Sequence, residues 1–352
     1  RPRDWSSDVC SSDLVATLVA LIVLVVAIWD QLVETFNNIV HVKTWVLLLM
    51  IPLQVLNYDS QTRLYQHLFS IVGNRLSYKQ LFRSSLELNF VNHVFPSGGV
   101  TGISYFGIRM KDAELSGAKA TAVHLLKLVL LFTSFEILIV FGVFALAVQG
   151  HMNSLVLLLA ASITTVLVMG SIGFWFIVGS KRRIAGFFTY VTRTLNKLIH
   201  KIRRGHPETI NTDKVRVLFE DLHENYVLMS KDWRQLKWPF FWALMANIWE
   251  ILTIYVVYVA FGAWVNIGAV ILAYSVANFA GLVSVLPGGV GIYEGLMTLV
   301  LTATGVPSRI SLPVTIMYRV LNTIIQVPPG YILYHRGINR SKPVAKLPGG
   351  EE

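Results

Sequence analysis

The chain has 352 residues, of which 54% are apolar and 14% charged, with a mean hydropathy of +0.58; an ordinary globular domain is about a quarter charged. Water is therefore not its main solvent, and nothing in the sequence reads as a soluble enzyme. The formal charge of +10 resides in loops that border apolar runs, which directs it to membrane surfaces rather than to nucleic acid.

The first fourteen residues, RPRDWSSDVCSSDL, differ in composition from everything after them and read as a non-native scar. They hold Cys10, the sole cysteine, so no disulfide, thiol nucleophile or thiolate metal site is expected in the rest of the chain. No cleavage pattern follows the apolar run that opens at Val15, which is read as a retained helix.

A bilayer core of about 30 Å needs roughly 20 apolar residues per helical span. Residues 14–29, 44–58, 120–148, 154–179, 238–261, 267–286 and 312–334 are the expected spans, the second interrupted by Pro52. Basic residues are retained on the cytoplasmic side. Thirteen Lys or Arg fall in residues 181–237, four in 59–83, three in 109–119 and four after 335, so these segments are expected inside. Residues 30–43, 149–153, 262–266 and 305–311 hold at most one each and are expected outside.

This assignment makes the chain both enter and leave residues 84–108 on the inside, and residues 267–304 on the outside. Both stretches are expected to be re-entrant hairpins of opposite polarity. Each carries a similar break, Pro96-Ser97-Gly98-Gly99-Val100-Thr101-Gly102 in the first and Pro287-Gly288-Gly289-Val290-Gly291 in the second. Proline lacks an amide donor and glycine releases the helical dihedrals, so both breaks free backbone polar groups. At membrane depth such groups are tolerated only when buried in protein or lining a wet cavity. Paired breaks in two inverted halves point to a transporter's substrate site, although kinked helices or surface loops have the same composition.

Glu294 lies one turn past the second break, and Arg319 sits within the last span beside Tyr318 and Asn322. A charge near the bilayer centre costs at least about 2.5–3.5 kcal/mol, so it seeks a partner or a cavity. Glu294 and Arg319 are the natural pair, either structural or exposed to an anionic head group. Lys127 is near enough to the inner end of its helix to snorkel, and Glu136 and Glu250 carry little functional weight. In the first hairpin Asn89, Asn92 and His93 share a helical face and are expected to line the cavity together with Glu87. His93 has no second His at ligand spacing, so no metal site and no cofactor are expected. Residues 181–204 hold eight Lys or Arg, no acid, and an apolar stripe at helical spacing, the pattern of an amphipathic helix lying on anionic lipid.

The breaks, the run Ile292-Tyr293-Glu294-Gly295, then Gly305-Val306-Pro307 and Tyr318-Arg319 resemble the transmembrane region of lysylphosphatidylglycerol synthases, the flippase-like family also known as uncharacterised membrane protein family 0104. The likeness runs over nearly everything after the scar. It implies a flippase-like domain over residues 15–335, with a basic loop at 181–237 and a cytoplasmic tail at 336–352. The soluble domain that transfers lysine to phosphatidylglycerol in full-length members has no room after residue 335, so that activity is expected to be absent. The resemblance implies movement between leaflets of a polar-head-group lipid, either aminoacylated phospholipid or lipid-linked sugar. Pro96, Ser97, Gly98, Gly99, Thr101, Pro287, Gly288, Gly289, Gly291, Tyr293, Glu294 and Arg319 would form the substrate site. Expected partners are membrane lipids, anionic phospholipid or a lipid-linked substrate, in the cell inner (plasma) membrane, with the basic loop and the C-terminus cytoplasmic. The rival reading is a non-catalytic accessory protein that presents lipid to a separate synthase or glycosyltransferase. No GxxxxGK[ST] loop is present to couple ATP, and no DxD element faces an aqueous loop.

Overall fold

A computed structural model describes residues 42–94, 117–148, 154–180, 233–283 and 291–340, with isolated positions between them such as 105–106, 109–110 and 115. Among these residues all regular structure is helical, with no strand. The helices are α1 (Thr44–Leu47), α2 (Met50–Ile71), α3 (Tyr78–Val94), α4 (Gly117–Val148), α5 (Ser154–Val178), α6 (Lys237–Ala260), α7 (Ile267–Val283), α8 (Ile292–Ala303) and α9 (Ser308–Arg340). A 3₁₀ turn, Trp233–Leu236, leads into α6.

Among the described residues, four stretches are long and apolar enough to cross a membrane: Lys119–Val148, Ser154–Gly173, Arg234–Ala260 and Ser308–Arg336. Large apolar side chains cover their outer surface, among them Val140, Phe141, Phe144 and Val148 on α4 and Leu158 and Met169 on α5, as a lipid solvent allows. By contrast α8, with 12 residues, reaches only about 18 Å at 1.5 Å per residue, short of a full hydrocarbon core. Both breaks lie almost wholly outside the described residues, as do the expected helix at 14–29 and nearly all of the amphipathic stretch 181–204.

The expected span at 44–58 is corrected by α2. Pro52 is the third residue of that helix, where no amide donor is required, and the helix runs on to Ile71 through residues expected in a loop. Asp59 and Arg63 pair along its surface at 2.8 Å, while Ser60 and Thr62 return their hydroxyls to the carbonyls of Leu56 and Tyr58. The helix ends at Gly73, whose φ of 82° lets the amides of Gly73 and Asn74 reach the carbonyls of Ser70 and Phe69.

Buried apolar side chains form two main clusters. One gathers Met50, Leu138, Ile139, Ile254, Tyr258, Leu272, Met297 and Val314; the other gathers Leu64, Tyr65, Leu68, Phe69, Leu81, Phe106, Val123 and Ala243. Along α2 the two are separated by Gln54, Asn57, Ser60 and Gln61, and along α6 by Asn247 and Glu250. Glu250 stands near the middle of the 24-residue α6, roughly 20 Å from its start. The bundle is thus apolar above and below a polar layer.

Two close helix approaches fix the frame. A Cβ on Gly268 of α7 would fall 2.2 Å from the carbonyl oxygen of Gly142 on α4, and Asn266 locks this crossing by donating to Ala145 O at 3.0 Å and accepting from Gly268 N at 2.7 Å. In α9 the pair Pro328-Pro329 precedes Gly330, where a Cβ would fall 2.6 Å from Leu86 O and from Phe90 Cβ of α3. Small residues at such crossings let backbones pack directly.

Candidate functional site

Glu250 is the hub of the polar layer. Its Oε1 accepts from Tyr318 OH at 2.5 Å and Asn322 Nδ2 at 3.0 Å, and its Oε2 from Gln54 Nε2 and Asn57 Nδ2, each at 3.1 Å. All four donors are neutral, and they come from α2 and α9, which flank α6. The network extends through Gln326 Nε2, which donates to Gln54 Oε1 and Asn322 Oδ1 at 2.9 Å. Asn89 of α3 donates to Gln326 Oε1 at 2.6 Å and to Tyr58 OH. In the other direction Gln61 donates to Asn57 Oδ1, and Lys127 Nζ to Gln61 Oε1, both at 2.7 Å.

Lys127 therefore does not snorkel. It is 5% exposed, about 15 Å along α4 from its start, and its ammonium lies 4.5 Å from the centre of the Tyr65 ring, a favourable seat for a cation. Tyr65 OH in turn meets His124 Nδ1 at 2.5 Å. The expected face of Asn89, Asn92 and His93 is also divided. Asn89 joins the layer, His93 Nδ1 lies 2.9 Å from Asn89 O, and Asn92 is exposed.

The structure brings Glu294 and Arg319 into direct contact. Glu294 has a second task, because its Oε2 accepts from the backbone N–H of Gly291 at 2.6 Å. Gly291 caps α8 with φ 87°, so the carboxylate closes the helix start and holds the guanidinium at once. Tyr293 is buried beneath, its ring centre 4.7 Å from the Arg319 guanidinium carbon. Of the other residues expected in the site, Pro96, Ser97, Gly98, Gly99, Thr101, Pro287, Gly288 and Gly289 lie outside the described residues.

A second ion pair joins α3 to Arg109. Glu87 of α3, its side chain 1% exposed, accepts from Arg109 Nε at 2.9 Å and from Tyr105 OH at 3.0 Å. Sequence reasoning placed Glu87 near the cavity and left Arg109 in a loop; their spacing of 22 residues across a break carries no periodic signal. Among the described residues no group of three His, Cys, Asp or Glu side chains is placed to hold a metal ion.

The family model described as lysylphosphatidylglycerol synthase TM region matches residues 14–330. A UPF0104 membrane protein of Methanocaldococcus jannaschii is 20% identical over 346 residues, covering 95% of this chain and 98% of the relative. UPF0104 membrane proteins of Methanothermobacter thermautotrophicus match at 32% identity over 83 residues, 24% of this chain and 25% of the relative, and at 24% over 165 residues, 47% and 48% respectively. With its apolar spans and a match over most of its length, this chain is an integral membrane protein and belongs to the lysylphosphatidylglycerol synthase transmembrane-region family.

Proposed function

We propose that the protein moves a polar-head-group lipid between leaflets, shielding the head group along the polar layer while the acyl tails stay in lipid. The observation that carries this reading is the layer itself: a hydrogen-bonded track from Lys127 through Glu250 to Asn89, enclosed midway along an otherwise apolar bundle. Ionisable groups at that depth mark substrate or ion pathways by default, and transporters bind their cargo near the midplane. The short length of α8 supports the re-entrant form of the second hairpin. The distribution of Lys and Arg supports a cytoplasmic position for the end of the bundle that carries Lys79, Arg83 and Arg109. No hydrolytic or transfer step is required of these residues.

Reconstitution into liposomes tests the reading, with fluorescent labels on the head groups of phosphatidylglycerol, its lysyl ester or a lipid-linked sugar, and a membrane-impermeant quencher to report the outer leaflet. The expected result is protein-dependent loss of the protected fraction for at least one of these lipids. Absence of transfer for all of them would favour the accessory reading, in which lipid is only presented to another enzyme.

Arg319→Gln separates a transport role from a structural one. The amide retains some hydrogen bonding to Glu294 but loses the charge that attracts phosphate. Lipid transfer is expected to fall at least tenfold, on the order of one lost charge-assisted contact, with protein abundance reduced far less. Parallel loss of abundance and transfer would make the pair purely structural.

A further inference from the structure

The start of α3 is built against its own helix. Lys79 and Arg83 stand four residues apart in its first two turns, where the positive end of the helix dipole disfavours cations and a like-charged pair at that spacing repels. Neither forms an ion pair or hydrogen bond with a described residue. Arg83 acts electrostatically on Glu87 one turn further on, but that carboxylate is already held by Arg109.

These side chains line a cleft of about 270 Å³, together with Ser77, Gln80, Ser84 and Arg109. Three cations face it, and among the described residues no carboxylate lines it. Ser84 is 3% exposed, lies in the cleft wall, and its hydroxyl makes no hydrogen bond with a described residue. The Ser84 hydroxyl and two cations without an ion-pair partner among the described residues are arranged for an anion that completes them.

The geometry points to a phosphate-binding site in this cleft, which takes the phosphate of an anionic lipid head group, or free phosphate, at the bundle end that begins α3. Lys79 and Arg83 supply charge, Arg109 a planar fork steadied by Glu87, and Ser84 a hydroxyl at the floor. The location also has a direction. From Arg83 to Asn89, which belongs to the polar layer, is six residues of α3, or about 9 Å. The cleft thus lies at the α3 end of the layer, and its assignment to a lipid head group rests on the transport reading above.

The test uses the full chain in a non-ionic detergent, with thermal unfolding followed as ligand is added. The probes are dihexanoyl-phosphatidylglycerol, dihexanoyl-phosphatidylcholine and inorganic phosphate. Phosphatidylglycerol is expected to raise the melting temperature, with an effect that weakens as salt rises. Lys79→Gln with Arg83→Gln is expected to weaken the apparent affinity at least tenfold, since two charge-assisted contacts are lost. The same double variant without ligand is expected to melt no lower than the wild type, because the cations oppose the helix dipole. Lys79→Arg with Arg83→Lys should retain binding. Stabilisation by phosphatidylglycerol alone assigns the site to lipid; equal stabilisation by inorganic phosphate assigns it to free phosphate. An unchanged affinity in the Gln double variant, or equal stabilisation by phosphatidylcholine, overturns the proposal. Liposome transfer that persists in that case leaves the transport reading standing, whereas binding that depends on Lys79 and Arg83 in a protein that moves no lipid leaves the site standing alone.

Discussion

Glu250→Leu is expected to destabilise the protein by several kcal/mol and to abolish whatever passes along the polar layer. The substitution leaves Tyr318, Asn322, Gln54 and Asn57 aimed at an alkyl group. Interhelical hydrogen bonds in membranes average about 0.6 kcal/mol each, so four of them set a floor of roughly 2.4 kcal/mol. Donors left unsatisfied in a dry interior cost about 1–3 kcal/mol apiece, which raises the total above that floor. Glu250→Gln keeps one acceptor oxygen and the side-chain volume, and turns two of the four contacts into donor facing donor; it should lie about midway. Thermal unfolding of purified wild type, Gln and Leu proteins in one detergent gives the order directly. A Leu variant as stable as the wild type would mean that water already satisfies those donors, and that the four contacts are not what holds α2 and α9 to α6.

Gly268→Leu is expected to be the most damaging substitution at a helix crossing. The added Cβ meets backbone, the carbonyl oxygen of Gly142, at 2.2 Å, and backbone cannot rotate away as a side chain can. Overpacking typically costs about 1–3 kcal/mol, and a clash this short on a carbonyl at the centre of a helix pair belongs at or beyond the upper end. It also displaces Asn266 from Ala145. Gly170→Ala on α5 is the matched control, because nothing lies within 4 Å of the position its Cβ would take. That change should be neutral or stabilising by up to about 1 kcal/mol. Detergent-solubilised yield and melting temperature for the pair should move in opposite directions. Comparable losses in both would show that glycine content, and not the α4–α7 contact, governs folding.

The sequence made the lipid-facing helices visible because a long apolar run has few other uses: 120–148, 154–179, 238–261 and 312–334 correspond to α4, α5, α6 and α9. It hid α2, since Asp59-Ser60-Gln61-Thr62-Arg63 has the composition of a loop, and only the fold shows that Ser60 and Thr62 bond their own backbone while Asn57 and Gln61 face the interior. Glu294 and Arg319 were legible as partners because one loop joins their helices and either charge alone is costly. Glu250 was not. Its donors lie 193 and 196 positions away on one side and 68 and 72 on the other, and a single carboxylate in an apolar run gives no periodic signal that it is shared by three helices. The same blindness to distant pairing hid the link between Lys127 and Gln61.

The side chains that α9 contributes to the layer are spaced evenly. Tyr318, Asn322 and Gln326 follow one another at four-residue steps and bond to each other as well as to α6, α2 and α3. A hydroxyl and two amides can each give and receive a hydrogen bond. Sliding α9 by one step, about 6 Å along its axis, carries each group to the place its neighbour held, with a donor and an acceptor still on offer there. The same slide would part Arg319 from Glu294 and carry Gly330 off Leu86 and Phe90, so the layer alone tolerates a change of register while these two contacts hold α9 in the one it has. The even spacing therefore leaves the choice of register to Arg319 and Gly330.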